Sequence, residues 1–171
     1  CASGLSGPVL LKSASGDAVV SDASGRVTLV TASGNAFAHG VETLEVVAQD
    51  GAVRVSGATG TIDVTTASGP VSIEDAAADV AVETAAGAID VRSPMGRDAT
   101  WSLVSTSGSI AASLPRAQGF RLEFHTVNGR LFSDFDLGRR TDFIGGDVGE
   151  PTALLHARTH SGDLTLSSTA R

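Results

Sequence analysis

Tyrosine is absent from this chain, and Trp, Met and Cys each occur once in 171 residues. Aromatics make up 4% of the sequence, so the core must be built from small branched side chains and must be thin. A single cysteine excludes any disulfide within the chain. No apolar run reaches the ~20 residues that a membrane-spanning helix needs. Basic residues are scarce: 12 against 19 acidic ones, for a net charge of −7. The deficit lies in residues 1–98, where 12 acidic face 5 basic residues, while residues 99–171 are balanced. That excludes nucleic acid as a partner, because phosphate binding needs clustered Lys and Arg. No Walker loop, dinucleotide fingerprint or nucleophile triad is present. The Gly-Gly-x-Gly-x-Asp calcium repeat is missing too.

What the sequence has is a repeat. A Ser-Gly dipeptide or a close variant returns at nine-residue spacing: Ser6-Gly7, Ser15-Gly16, Ser24-Gly25 and Ser33-Gly34 open the series. Two and four residues after the glycine come apolar side chains, as in Val53 and Val55, Ile62 and Val64, Val71 and Ile73. The stretch Ala78-Asp79 lacks the glycine, yet Val80 and Val82 follow in register, and Ile89 and Val91 continue the pattern. Period-two alternation between turn residues means short strands. The spacing leaves no room for hairpin loops, so each strand stacks on its counterpart one coil earlier. The expected fold is all-β, a single-domain parallel β-solenoid of about eight coils with two short strands per coil. At ~4.8 Å per coil the rod is roughly 40 Å long.

One column of corners runs through Gly16, Gly34, Gly51, Gly69, Gly87, Gly108, Gly129 and Gly162. Glycine is expected there because it reaches φ > 0 without strain. Three residues before it a small hydroxyl recurs, at Ser13, Thr31, Thr66, Thr84, Ser105, Thr126 and Thr159, and parity turns it inward. The later coils are wider and richer in aromatics: Trp101, Phe120, Phe124, Phe132, Phe135 and Phe143 all lie beyond residue 100. Residues 1–6 read as an N-terminal tether, 7–170 as the solenoid, and about 138–152 as an insertion.

Ile62 to Gly69, Phe124-His-Thr-Val-Asn-Gly129 and the run from His156 to Leu166 resemble a bacterial adhesin-type β-solenoid domain family of unknown function, whose Thr-x-Ser-Gly-Asp and Thr-Val-Asn-Gly turns alternate with valine-rich strands. The resemblance covers at least residues 44–170. It implies an extracytoplasmic, envelope-associated or secreted protein and supplies no catalytic residues.

Cys1 admits two readings. It is either the lipidated first residue of a mature bacterial lipoprotein, tethering the protein to a membrane, or incidental to a fragment. Three of the four histidines fall late: His125 lies four residues before Gly129, and His156 and His160 lie six and two before Gly162. These even offsets place all three on the outer face of one sheet. If Gly129 and Gly162 mark neighbouring coils, His125 stacks beside Arg158 and Glu123 beside His156. Imidazole clusters suit copper or zinc, with Glu123, Asp142 or Asp147 as a further carboxylate. An exposed copper beside Arg158 would support superoxide dismutation. His39, five residues after Gly34, reads as an ordinary surface residue. The sequence thus leaves two functions open. One is a non-catalytic, adhesin-like envelope module whose partners are envelope or surface-layer proteins. The other is an envelope metalloprotein with copper or zinc at His125, His156 and His160.

Overall fold

The computed structural model describes residues 1–137 and 144–169, which contain strands and no helix. The first coil is β1 (Ala2–Ser6) and β2 (Val9–Ser15). Residues 1–6, expected as a tether, therefore include a strand, paired in parallel with the next coil. The following two coils are unbroken strands, β3 (Ala18–Ser33) and β4 (Ala36–Asp50), which bend from one sheet into the other. From there each coil is a short strand and a longer one: β5 (Val53–Ser56) and β6 (Ile62–Ser68), β7 (Val71–Glu74) and β8 (Val80–Ala86), β9 (Ile89–Arg92) and β10 (Thr100–Ser107). Every pairing in this part is parallel.

The architecture is the expected parallel β-solenoid. Its inward positions are the expected ones: Val53, Val55, Ile62, Val64, Val71, Ile73, Val80, Val82, Ile89 and Val91 are each at most 2% exposed. They stack in columns, Val53 on Val71 on Ile89 in one sheet and Ile62 on Val80 on Trp101 in the other. A solenoid buries its apolar face only against neighbouring coils, so this stacking is the source of its stability.

About six turns wind in simple sequence order, fewer than the eight expected. The remaining strands are β11 (Ile110–Pro115), β12 (Phe120–Asn128), β13 (Leu131–Ser133), β14 (Ile144–Val148), β15 (Leu154–Ser161) and β16 (Leu164–Thr169). They stack out of order. β15 lies between β10 and β12, and β16 lies between β11 and β13. The coil that comes last in sequence is thus sandwiched inside the stack. The coil before it is outermost, and β14 pairs antiparallel along β12 from Phe120 to Phe124. The first part of the expected insertion, residues 138–143, lies outside the described residues together with Phe143 and Asp142. Its later part supplies this covering strand. The aromatic enrichment sits here: Trp101, Phe120 and Phe124 are fully buried, and Phe120 meets Phe135 edge-on at 5.2 Å.

The corners correct the sequence reading in two ways. Gly16, Gly34, Gly51 and Gly69 have the expected positive φ, but Gly87, Gly108, Gly129 and Gly162 do not. These later corners still require glycine, for a reason that Gly34, Gly51 and Gly69 share and that only Gly16, in the first coil, lacks. The space a Cβ would fill is occupied by a carbonyl oxygen of a neighbouring coil, Gly87 O at Gly108, Gly108 O at Gly162 and Gly162 O at Gly129. The same contacts record the stacking order. The second correction is a further bend in the early coils, at Gly4, Asp22, Gly40, Gly57 and Asp75, all with φ between 52° and 65°. Asp occupies two of these left-handed positions, which its short polar side chain tolerates.

The inward hydroxyls form one ladder: Ser13, Thr31, Ala48, Thr66, Thr84, Ser105, Thr159, Thr126, with Ala48 the only break. Three donate to corner carbonyls, Ser13 to Gly16 at 3.0 Å, Thr66 to Ser68 at 3.3 Å and Ser105 to Gly87 at 3.4 Å. The Oγ1 atoms of Thr31, Thr84, Thr126 and Thr159 are buried without a hydrogen-bond partner.

Candidate functional site

β12 and β15 are neighbours, so the expected register holds at the C-terminal end: Glu123 lies beside His156 and His125 beside Arg158. The rings of His125 and His156 stand 6.0 Å apart with their planes at 62°. His160 follows two residues after Arg158, in register with Val127 between the pairs Thr126–Thr159 and Asn128–Ser161. The ring contact joins His125 and His156. Among the described residues no group of three His, Cys, Asp or Glu side chains is disposed to hold a metal ion. Asp147, expected as a further carboxylate, takes a two-pronged ion pair from Arg121, with Nε at 2.8 Å and Nη2 at 3.3 Å. That pair clips β14 onto β12 and holds the Arg121 guanidinium above its ordinary pKa, first through the hydrogen bonds from Arg121 and then through the charge of Asp147. Cys1 is exposed and free.

A second concentration of functional groups lies on the opposite sheet. A groove of about 520 Å³ runs across the outer face of the first half of β3 and β4 and across β5, β7 and β9. It is lined by two rows. One is Val19, Phe37, Arg54, Ser72 and Asp90, each beside the next in register. The other is Ser21, His39, Ser56, Glu74 and Arg92. His39 is thus part of a built surface, and its Nδ1 lies 2.9 Å from Ser56 Oγ. Arg92 forks onto Asp90, with Nη2 to Oδ2 at 2.8 Å and Nε to Oδ1 at 3.2 Å. Those hydrogen bonds, and next the Asp90 charge, raise the Arg92 pKa, with Glu74 adding to the effect. Arg54 is exposed. The signal for this surface was present in the sequence. From Phe37 to Asp90 the first row keeps an offset of three residues after the corner glycine, and from His39 to Arg92 the second keeps an offset of five.

The fold and its surface define a parallel β-solenoid with an apolar, hydroxyl-laddered interior and differentiated outer faces. Within that class, the chain matches the model of the Toastrack DUF4097 family over residues 6–167 and belongs to that family. The match spans the six regular turns and the out-of-order coils alike. It establishes a solenoid repeat of unknown function, the coarser part of what the resemblance implied; adhesion is not part of the family's description. No curated protein and no solved structure matches the chain.

Proposed function

We propose that this chain is a non-catalytic, adhesin-like module of the bacterial cell envelope, a stiff rod that presents outward side chains to other envelope or surface-layer components. The supporting observation is the chemistry of the interior. The buried polar residues are Thr31, Thr66, Thr84, Ser93, Ser105 and Thr159, all hydroxyls. No acid, base or thiol among the described residues is withdrawn from water. Burial is a principal means of tuning such groups for catalysis, so the interior offers structure and the outer faces offer contact.

The pair His125 and His156 favours a second reading, copper or zinc binding. With metal–nitrogen bonds of ~2.0–2.1 Å and a further ~1.1 Å to each ring centre, two imidazoles on one ion have centres about 5–6 Å apart. Their 6.0 Å separation falls at the upper end of that span. Glu123 beside His156 would be the nearest carboxylate in register. A copper ion held there and open to solvent would carry superoxide dismutation.

The deciding experiment is metal analysis of protein purified without a His tag or nickel column, followed by Cu(II) and Zn(II) titration of the wild type, His125→Ala and His156→Ala. The module reading expects no binding tighter than that of a single surface histidine and no superoxide consumption. One equivalent of tightly bound copper, lost in both variants, would replace it with the metalloprotein reading.

A further inference from the structure

The groove on the short-strand sheet holds two guanidiniums with different circumstances. Arg92 is occupied by Asp90, with Glu74 close enough to act on it. Among the described residues the Arg54 guanidinium takes part in no side-chain hydrogen bond or ion pair. Of the cations that line the groove, Arg54 is thus the one left to meet an anion. Its setting is specific. On one side, a coil earlier in register, stands Phe37, half-buried, with its ring on the outer face. On the other side stands Ser72. In the parallel row, Ser56 Oγ and His39 Nδ1 are already joined, which fixes the imidazole and leaves its Nε2 to the groove.

We infer that this groove binds an acidic saccharide, with a uronate carboxylate on Arg54 and the apolar face of a sugar ring on Phe37. A guanidinium fork matches a carboxylate bidentately, which a neutral sugar cannot offer. An aromatic face takes the C–H side of a sugar ring as it takes other apolar surface. Hydroxyls find acceptors at Glu74 and both donors and acceptors at Ser56 and Ser72. The volume falls within the ~300–1,000 Å³ usual for small-molecule sites. A peptide fits less well. β4, β5 and β7 are paired on both edges, so no backbone groups remain for strand addition, and recognition must run through side chains.

This goes beyond the module reading and is tested separately from it. Metal and superoxide assays decide that one, and carboxylate binding decides this one. An oligogalacturonate is titrated into the whole chain and into Arg54→Gln, with binding followed by calorimetry and by amide chemical shifts. Loss of a charge-assisted fork is expected to weaken binding at least about ten-fold in Arg54→Gln. Phe37→Ala is expected to weaken it several-fold, and Glu83→Gln on the opposite sheet to leave it unchanged. Shifts should concentrate on β4, β5 and β7. Because Arg54 is exposed, its variant should melt within a few degrees of the wild type, which separates lost binding from lost fold. Equal affinity in Arg54→Gln overturns the inference. So does equally tight binding of the neutral galactose oligomer, saturation by an acidic hexapeptide but not the uronate, or no shift at millimolar uronate.

Discussion

Replacing one corner glycine in the early coils and one in the later coils separates two physical reasons for glycine in a single protein. Gly108 has no positive φ, yet a Cβ there would run into the carbonyl oxygen of Gly87. In Gly108→Ala the corner must lift off the coil beneath. The bonds at risk are Ile89 N–H to Ser109 C=O at 3.0 Å, Ile110 N–H to Asp163 C=O at 2.9 Å, and Ser105 Oγ to Gly87 C=O. Two or three of these at about 1 kcal/mol each, with an overpacking term of about 1–3 kcal/mol, give a destabilisation of about 4 kcal/mol. Gly16 is the opposite case. Its φ is +111°, and nothing lies within 4 Å of where a Cβ would stand. Gly16→Ala should cost only backbone strain, about 1–2 kcal/mol. For a chain of this size about 1 kcal/mol lowers the melting temperature by ~2–4 °C, so the expected losses are about 8–16 °C against about 2–8 °C. Melting by circular dichroism measures both. Fluorescence of Trp101, the single Trp and fully buried in the coil of Gly108, follows the second site directly. Equal losses, or a larger one at Gly16, would refute the close-approach account of the later corners.

The hydroxyl ladder yields a second contrast. Thr84 Oγ1 is buried without a partner, so Thr84→Val should stabilise by about 1 kcal/mol, whereas Thr66→Val gives up the bond to Ser68 and should lose about as much; urea denaturation of the two variants tests the opposite signs. At the covered end, Arg121 and Asp147 are 42% and 37% exposed, so Arg121→Ala should lower global stability by less than about 1 kcal/mol. Amide exchange at residues 144–148 should nonetheless accelerate, because that pair clips β14 to β12. Unchanged exchange there would show that the antiparallel backbone pairing alone holds the strand.

The inward positions were legible because a strand's period is two and the corner glycine fixes its phase. Once Gly69 and Gly87 were identified as one corner, Val71, Ile73, Ile89 and Val91 had to face inward. The same phase placed Glu123 beside His156 and His125 beside Arg158. Stacking order was not legible. The 33 residues from Gly129 to Gly162 measure the chain between two corners and not which coil lies outermost. That is decided by where β14 can pair, and β14 lies along β12, leaving β15 and β16 the inner places. The left-handed column was hidden because Asp22 and Asp75 stand in it where glycine would have marked it.

The two surface sites were unequally visible for a related reason. Three late histidines stand out as a composition anomaly, and the ring contact is between two of them, His125 and His156. Phe37, Arg54, His39 and Glu74 are individually unremarked residue types spread over 38 positions, and only their common offsets from successive glycines gather them into one groove. In a solenoid the inward offsets are fixed by the core, so whatever distinguishes one such chain from another in function must be written at the outward offsets. The groove occupies outward positions of the early and middle coils on one sheet. The histidine pair occupies outward positions of the last coils on the other. With the stacked core between them and no shared residue, variants in the two should act additively. Arg54→Gln should leave metal titrations unchanged and His125→Ala should leave saccharide titrations unchanged, so each site can be accepted or discarded on its own.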